Sequence, residues 1–169
     1  MLSEIKVRRA RLLDAEAIAA FVNSAQGVGP GERSKITRRT VAERFGQIGF
    51  MVAEDGGEML GLLGWHVENL VVRVTDFLLS PCEDAVVVGR TLIDEMETAG
   101  QDLQAEAVIL FLPAIPSPKL VAFWERLGYA YQGVEQLPRA WREAVVERDR
   151  AMRGVMVKRL REEYTRRPI

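Results

Sequence analysis

The chain of 169 residues has one cysteine, Cys82, and one histidine, His66. A lone cysteine excludes an intrachain disulfide, and one cysteine with one histidine cannot assemble a zinc cluster. Any metal chemistry would rest on carboxylates. Aromatic residues make up only 7% of the chain, and no apolar run approaches the roughly 20 residues needed to cross a bilayer. The start, MLSEIKVRRA, lacks both the apolar core and the small-residue cleavage site of a secretory leader. The expectation is a cytoplasmic protein with no membrane partner. Excess charge is scarce too, the net value being −1. It is unevenly spread, with 13 basic and 19 acidic side chains over residues 1–138 but 10 and 5 over residues 139–169. The basic residues of this last piece are interleaved with Glu143, Glu147, Asp149, Glu162 and Glu163, which reads as a solvated helix surface. No nucleic-acid partner is expected.

What is present is ordinary for a globular domain: 48% hydrophobic and 28% charged residues, in a length that suits a single domain over 1–169. Residues 71–100, VVRVTDFLLSPCEDAVVVGRTLIDEMETAG, organise it. An apolar, β-branched run ends at Ser80-Pro81 and a polar loop follows. Val88, Leu92, Met96 and Ala99 then recur at helical spacing. The spacing predicts a strand, a loop and a helix over 87–99, whose first N–H groups would point at whatever occupies the loop.

The remaining elements follow from local pattern. Ile5 to Arg9 alternates as a strand. Asp14 is placed to cap a helix carrying Ile18, Phe21, Val22 and Ala25 on one face. Gln26 to Gly31 reads as a connector, followed by a second helix from about Ser34 to Ile48. Two β runs flank Gly56-Gly57, which predicts a hairpin, and a third strand covers Leu70 to Leu79. Ala107 to Leu112 is a continuous apolar run, as for a strand buried on both faces. The proline turn 113–118 leads to a helix over Lys119 to Leu127, and Gly128 is placed to end it. A strand over Tyr129 to Gln132, an extra helix over about 138–152, a strand over Val155 to Lys158 and a mobile tail over about 161–169 complete the chain.

The order β-α-α-β-β-β-α-β-α-β-(α)-β is α+β, because three consecutive strands interrupt any βαβ alternation. With FLLSP…GRTLIDEME at Phe77 to Glu97, LVAFWERLGYAYQG at Leu120 to Gly133 and GVMVKRL at Gly154 to Leu160, it resembles the GNAT superfamily of acyl-CoA-dependent N-acetyltransferases. The resemblance implies a mixed central sheet of about six or seven strands, largely antiparallel and flanked by helices, with its fourth and fifth strands splayed into a cleft. It implies acetyl-CoA as cosubstrate, no metal, and a small-molecule or peptide amine as acceptor that attacks the thioester directly. It also makes a homodimer an expectation. Backbone groups of Leu78 and Leu79 would hold the pantetheine arm. The loop and helix start, Asp84, Ala85, Val86, Val87, Val88, Gly89 and Arg90, would hold the diphosphate, with Ser117 beside the cofactor.

The chain departs from the family pattern at two places. The phosphate loop is degenerate: an acid, Asp84, stands where the family has Arg or Gln, and Val87 stands at its first glycine. Asp84 and Glu83 put carboxylates where a diphosphate would lie, each costing about 1 kcal/mol at ~5 Å in a water-like dielectric. Arg90 offsets part of this. Trp124 occupies the position where many family members carry a tyrosine acid, and an indole N–H donates hydrogen bonds without being a useful acid near neutral pH. The plainer reading of Trp124 is a core aromatic, since it shares the apolar stripe of its helix. Glu68 and Asp76 are the candidate bases, each with the alternative of a solvent-facing strand residue. His66 reads as structural, and Cys82, beside two acids, is not a nucleophile. Two functions stay open: an N-acetyltransferase with altered cofactor and proton-transfer positions, and a non-catalytic protein of the same fold that binds another ligand or a partner protein.

Overall fold

A computed structural model of the chain describes residues 4–25, 35–112, 115–145 and 154–161. Among these, seven strands form one mixed sheet, with five helices. The strands are β1 (Lys6–Arg9), β2 (Gly49–Asp55), β3 (Glu58–Glu68), β4 (Val71–Leu79), β5 (Ala107–Phe111), β6 (Ala130–Gly133) and β7 (Gly154–Arg159), in the spatial order β1-β2-β3-β4-β5-β7-β6. The helices are α1 (Ala15–Ala25), α2 (Arg38–Arg44), α3 (Ala85–Asp102), α4 (Pro118–Arg126) and α5 (Arg139–Val145). The pairs β1/β2, β2/β3, β5/β7 and β6/β7 are antiparallel, and β4/β5 is parallel. This is the mixed, largely antiparallel sheet that the resemblance implies. The residues fall into two compact units, Met1–His66 with Thr75–Met96 and Val67–Val74 with Glu97–Ile169.

In the first unit, the period-2 alternation of the strands sends successive side chains to opposite faces. Phe50, Val52 and Leu62 face one way and form a core with Ala15, Ile18, Ala19 and Val22 of α1 and Val41 of α2. On the other face α3 lies directly on β3. A methyl group at Gly61 would come within 2.8 Å of Leu92 Cδ1 and 3.0 Å of Val88 Cγ1, so this close approach depends on glycine. The hairpin at Gly56-Gly57 forms as expected, both residues having positive φ.

Asp14 precedes α1, but its carboxylate is used differently from the expected cap. It accepts from the Arg11 N–H at 2.6 Å and from both terminal nitrogens of Arg8 at 2.8 and 2.9 Å, and the Arg8 Nε donates to Glu54 at 3.0 Å. The hydrogen bonds from Arg8 lower the Asp14 carboxyl to about 2, against the opposing effect of burial, and the two carboxylates raise the Arg8 guanidinium in turn. The second helix is shorter than expected, beginning after Thr37, whose hydroxyl accepts from the Thr40 N–H. Ser34 and the Gln26 to Gly31 connector lie outside the described residues.

In the second unit, Trp141, Ala144 and Val145 of α5, with Leu137 just before it, pack on Ala107 and Ile109 of β5 and Val155 and Val157 of β7. The expected helix over 138–152 is described only to Val145; residues 146–152, like 162–169 of the tail, lie outside the described residues. Ser117 caps α4 through a hydrogen bond from the Leu120 N–H, with Pro118 in its first turn. The helix therefore starts one residue earlier than the spacing suggests. Leu70 is not in β4 as expected. With Asn69 it forms the two-residue turn between β3 and β4, at φ of 49° and 62°, because such a turn needs positive φ at both central residues. Its carbonyl accepts the Glu106 N–H at 2.7 Å, which ties the turn to the start of β5. A half-buried ion pair, Lys158 to Glu97 at 2.9 Å, is shared with the Tyr129 hydroxyl, which donates to the same carboxylate at 2.8 Å.

Candidate active site

The site begins where β4 leaves its parallel partner. The β4/β5 ladder runs from Val71↔Ala107 to Val74↔Leu110, while β4 itself continues through Thr75–Leu79. Within this second half of the strand, alternation places Asp76 and Leu78 on one face and Phe77 and Leu79 on the other. The contacts agree: Leu78 packs on the α1/α2 core, and Leu79 reaches Gly61 beside Val88 and Leu92 of α3.

The chain then turns through Ser80 to Asp84, and the Ser80 N–H donates to the Leu60 carbonyl at 2.8 Å. Helix α3 starts at Ala85, two residues earlier than the spacing suggests. Ala85 and Val88 donate to the carbonyls of Cys82 (3.2 Å) and Asp84 (3.0 Å); among the described residues, the N–H groups of Val86 and Val87 meet no backbone acceptor. These are the orphan donors that a helix start leaves. Together with the dipole of an 18-residue helix they favour an anion. The side chains around them are mixed. Val86 and Val87 are 53% and 52% exposed, Glu83 and Arg90 are exposed and Asp84 is half-buried. Val88 and Gly89 are buried. The backbone thus suits a phosphate group, and the carboxylates of Glu83 and Asp84 oppose one.

Asp76 is held firmly. Arg44, in the last turn of α2, donates from Nη1 to Oδ1 at 3.1 Å and from Nη2 to Oδ2 at 2.6 Å. The Thr75 hydroxyl donates to Oδ2 at 2.7 Å. The Arg44 guanidinium also lies over the Phe50 ring, 5.2 Å from its centroid. The carboxylate sits where a side chain at Gly64 of β3 would otherwise be: a Cβ there would collide with Asp76 Oδ2 and fall 2.8 Å from Thr75 Oγ1.

The first unit holds Asp76 and Leu78 on the face packed by α1 and α2, and Leu79 on the opposite face beside α3, whose start follows residue 84. The other candidates belong to the second unit. Glu68 is exposed at the end of β3, beside the Asn69-Leu70 turn. Ser117 is the cap of α4. Trp124 is 1% exposed and meets Phe123 and Tyr129 edge-on, at centroid distances of 5.6 and 5.0 Å. Sequence reasoning missed Arg44, Thr75 and Gly64. Thr75 adjoins Asp76, but no local pattern couples residue 44 or 64 to residue 76. Among the described residues, no group of three or more His, Cys, Asp or Glu side chains could hold a metal, and no helix is long and apolar enough to cross a membrane.

No protein-family model matches this chain, and no curated protein matches it. Its fold, however, is shared with solved acetyltransferases. The PaiA N-acetyltransferase from Thermoplasma acidophilum, in complex with coenzyme A, is similar at a TM-score of 0.71 and 16% identity over 92% of this chain and 99% of its own. An acetyltransferase of the GNAT family from Staphylococcus aureus Mu50 reaches 0.70 at 12% identity, over 94% and 100%. An aminoglycoside 6'-acetyltransferase type Ii reaches 0.68 at 13% identity, over 96% and 99%. The fold is that of the GNAT acetyltransferases.

Proposed function

We propose that this protein is an N-acetyltransferase that moves an acetyl group from acetyl-CoA to a primary amine by direct attack. One observation carries the reading. In a GNAT fold, the half of β4 beyond its ladder with β5 runs into a helix start whose Val86 and Val87 N–H groups meet no backbone acceptor among the described residues. Backbone groups of Leu78 and Leu79 take the pantetheine arm, and the first turn of α3 takes the diphosphate without help from a basic loop residue. Acetyl-CoA supplies the activated thioester. Asp76 lies two residues from Leu78, about 7 Å along the strand, and orients the acceptor amine toward that carbonyl.

In the overall reaction the amine nitrogen bonds to the acetyl carbon, the carbon–sulfur bond breaks, and CoA leaves as the thiol. An ammonium acceptor loses two protons, one to the sulfur and one to solvent by way of Asp76. Positioning supplies most of the acceleration in such a transfer, so the reaction does not require a tyrosine acid at position 124. A cytoplasmic location belongs to the same reading and is supported by the single cysteine.

The carboxylates of Glu83 and Asp84 favour a second reading, a non-catalytic protein of this fold that binds a less anionic ligand. Release of CoA thiol from acetyl-CoA, followed across a polyamine, an amino sugar and lysine peptides, separates the two. Amine-dependent release supports the transferase; none with any acceptor supports the second reading.

A further inference from the structure

The candidate acceptor carboxylate is set by a residue 32 positions away, and that pairing has the form of a positioning device. A carboxylate offers about four lone-pair positions. Three on Asp76 are taken, one on Oδ1 and one on Oδ2 by Arg44 and another on Oδ2 by Thr75. Among the described residues, no hydrogen bond occupies the fourth position, on Oδ1. The side chains of Arg44 and Asp76 are 31% and 20% exposed, so the pair is half-buried yet reachable. The planar fork of Arg44 fixes the plane of the carboxylate, which a lysine at the same place would not do. The Phe50 ring lies beneath the fork, 5.2 Å from the guanidinium carbon. Gly64 supplies the room on the strand side.

We propose that Arg44 is the positioning residue of the acceptor site, and that it turns this fourth position, on Oδ1 of Asp76, toward an alkylammonium group of the acceptor. The inference rests on the transferase reading for its consequence in turnover, but the ammonium site itself is a property of the first unit. Arg44 touches neither reacting atom; it acts through Asp76.

The test uses the full chain and the variants Arg44→Lys, Arg44→Gln and Asp76→Asn. In acetyl transfer to the best amine of the panel, kcat/KM falls about tenfold in R44K and about a hundredfold in R44Q. The affinity for acetyl-CoA, read by calorimetry, stays within about twofold in both. Unchanged kcat/KM in R44Q overturns the proposal. So does a loss shared equally between amine and acetyl-CoA, which marks damaged packing. A second measurement is independent of turnover: side-chain carboxyl carbon NMR during titration with n-butylammonium chloride, with the Asp76 signal assigned by its loss in D76N. The Asp76 signal moves on titration in the wild type and is unresponsive in R44Q. A wild type that binds n-butylammonium at Asp76 yet releases no CoA upholds the ammonium site and overturns the transferase reading. No response at Asp76 in the wild type overturns the inference, whatever the turnover.

Discussion

Gly64 of β3 and Asp76 of β4 are complementary: the missing side chain of one is the space filled by the carboxylate of the other. A substitution at residue 64 therefore acts on the candidate site without touching its polar groups.

Gly64→Ala puts a methyl group on the Asp76 carboxylate and against Thr75 Oγ1. Overpacking of this kind costs about 1–3 kcal/mol. In an Asp76→Ala background the same change costs less, because the carboxylate is gone, although Thr75 Oγ1 still has to give way. Urea unfolding of the four proteins gives the coupling. Equal costs in both backgrounds would show that the two residues do not share that space.

Leu70 holds a left-handed conformation, φ 62°, in the turn between β3 and β4. A non-glycine residue pays about 1–2 kcal/mol for this geometry, of which the extra freedom of glycine in the unfolded chain returns part. Leu70→Gly raises stability by about 0.5–1 kcal/mol, and Leu70→Val lowers it. Thermal unfolding of the two variants checks the order.

Acid sensitivity follows from Asp14. Its folded pKa, about 2, lies below the ordinary 3.8, so its contribution is complete above pH about 4 and is lost as the pH falls toward 2. Because the Arg8 side of the pair is 37% exposed, solvent screening holds the effect to about 1 kcal/mol. Asp14→Asn removes that pH dependence. A stability profile between pH 5 and 2 that is the same in both proteins would contradict this assignment.

Removing Lys158 leaves the Glu97 carboxylate, 12% exposed, with the Tyr129 hydroxyl still donating to it. Lys158→Met destabilises the protein by about 2–4 kcal/mol, whereas the pair Lys158→Met with Glu97→Leu recovers much of the loss. Denaturant midpoints distinguish this from additive losses.

Much of this architecture is legible in the order of residues, for local reasons. The Gly56-Gly57 hairpin and the apolar run of β5 each follow from short-range chemistry, and α4 starts at Pro118, one residue before the Lys119 that its apolar spacing suggests. The order of elements, with three partial motifs, points to the GNAT fold. What escapes is non-local or runs against propensity. Leu70 sits in a turn position that favours glycine or asparagine, so a strand is the natural reading of its neighbourhood. Asp14 has the sequence position of a cap, but Arg8 offers its carboxylate a stronger partner. Arg44 reaches Asp76 only because α2 packs against this part of the sheet, which hydrophobic spacing cannot specify to one guanidinium. At the helix start the side chains speak against a phosphate while the backbone speaks for one, and the backbone geometry becomes visible only in the fold.

Titration calorimetry with acetyl-CoA tests the central claim most directly, since that claim places the diphosphate on the backbone of α3 despite two nearby carboxylates. The expected result is micromolar binding, about −8 kcal/mol, tightened roughly five- to tenfold by Asp84→Asn as one repulsive charge is removed. No heat of binding at millimolar acetyl-CoA, in the wild type and in Asp84→Asn alike, would contradict the claim and leave the fold without the activity proposed for it.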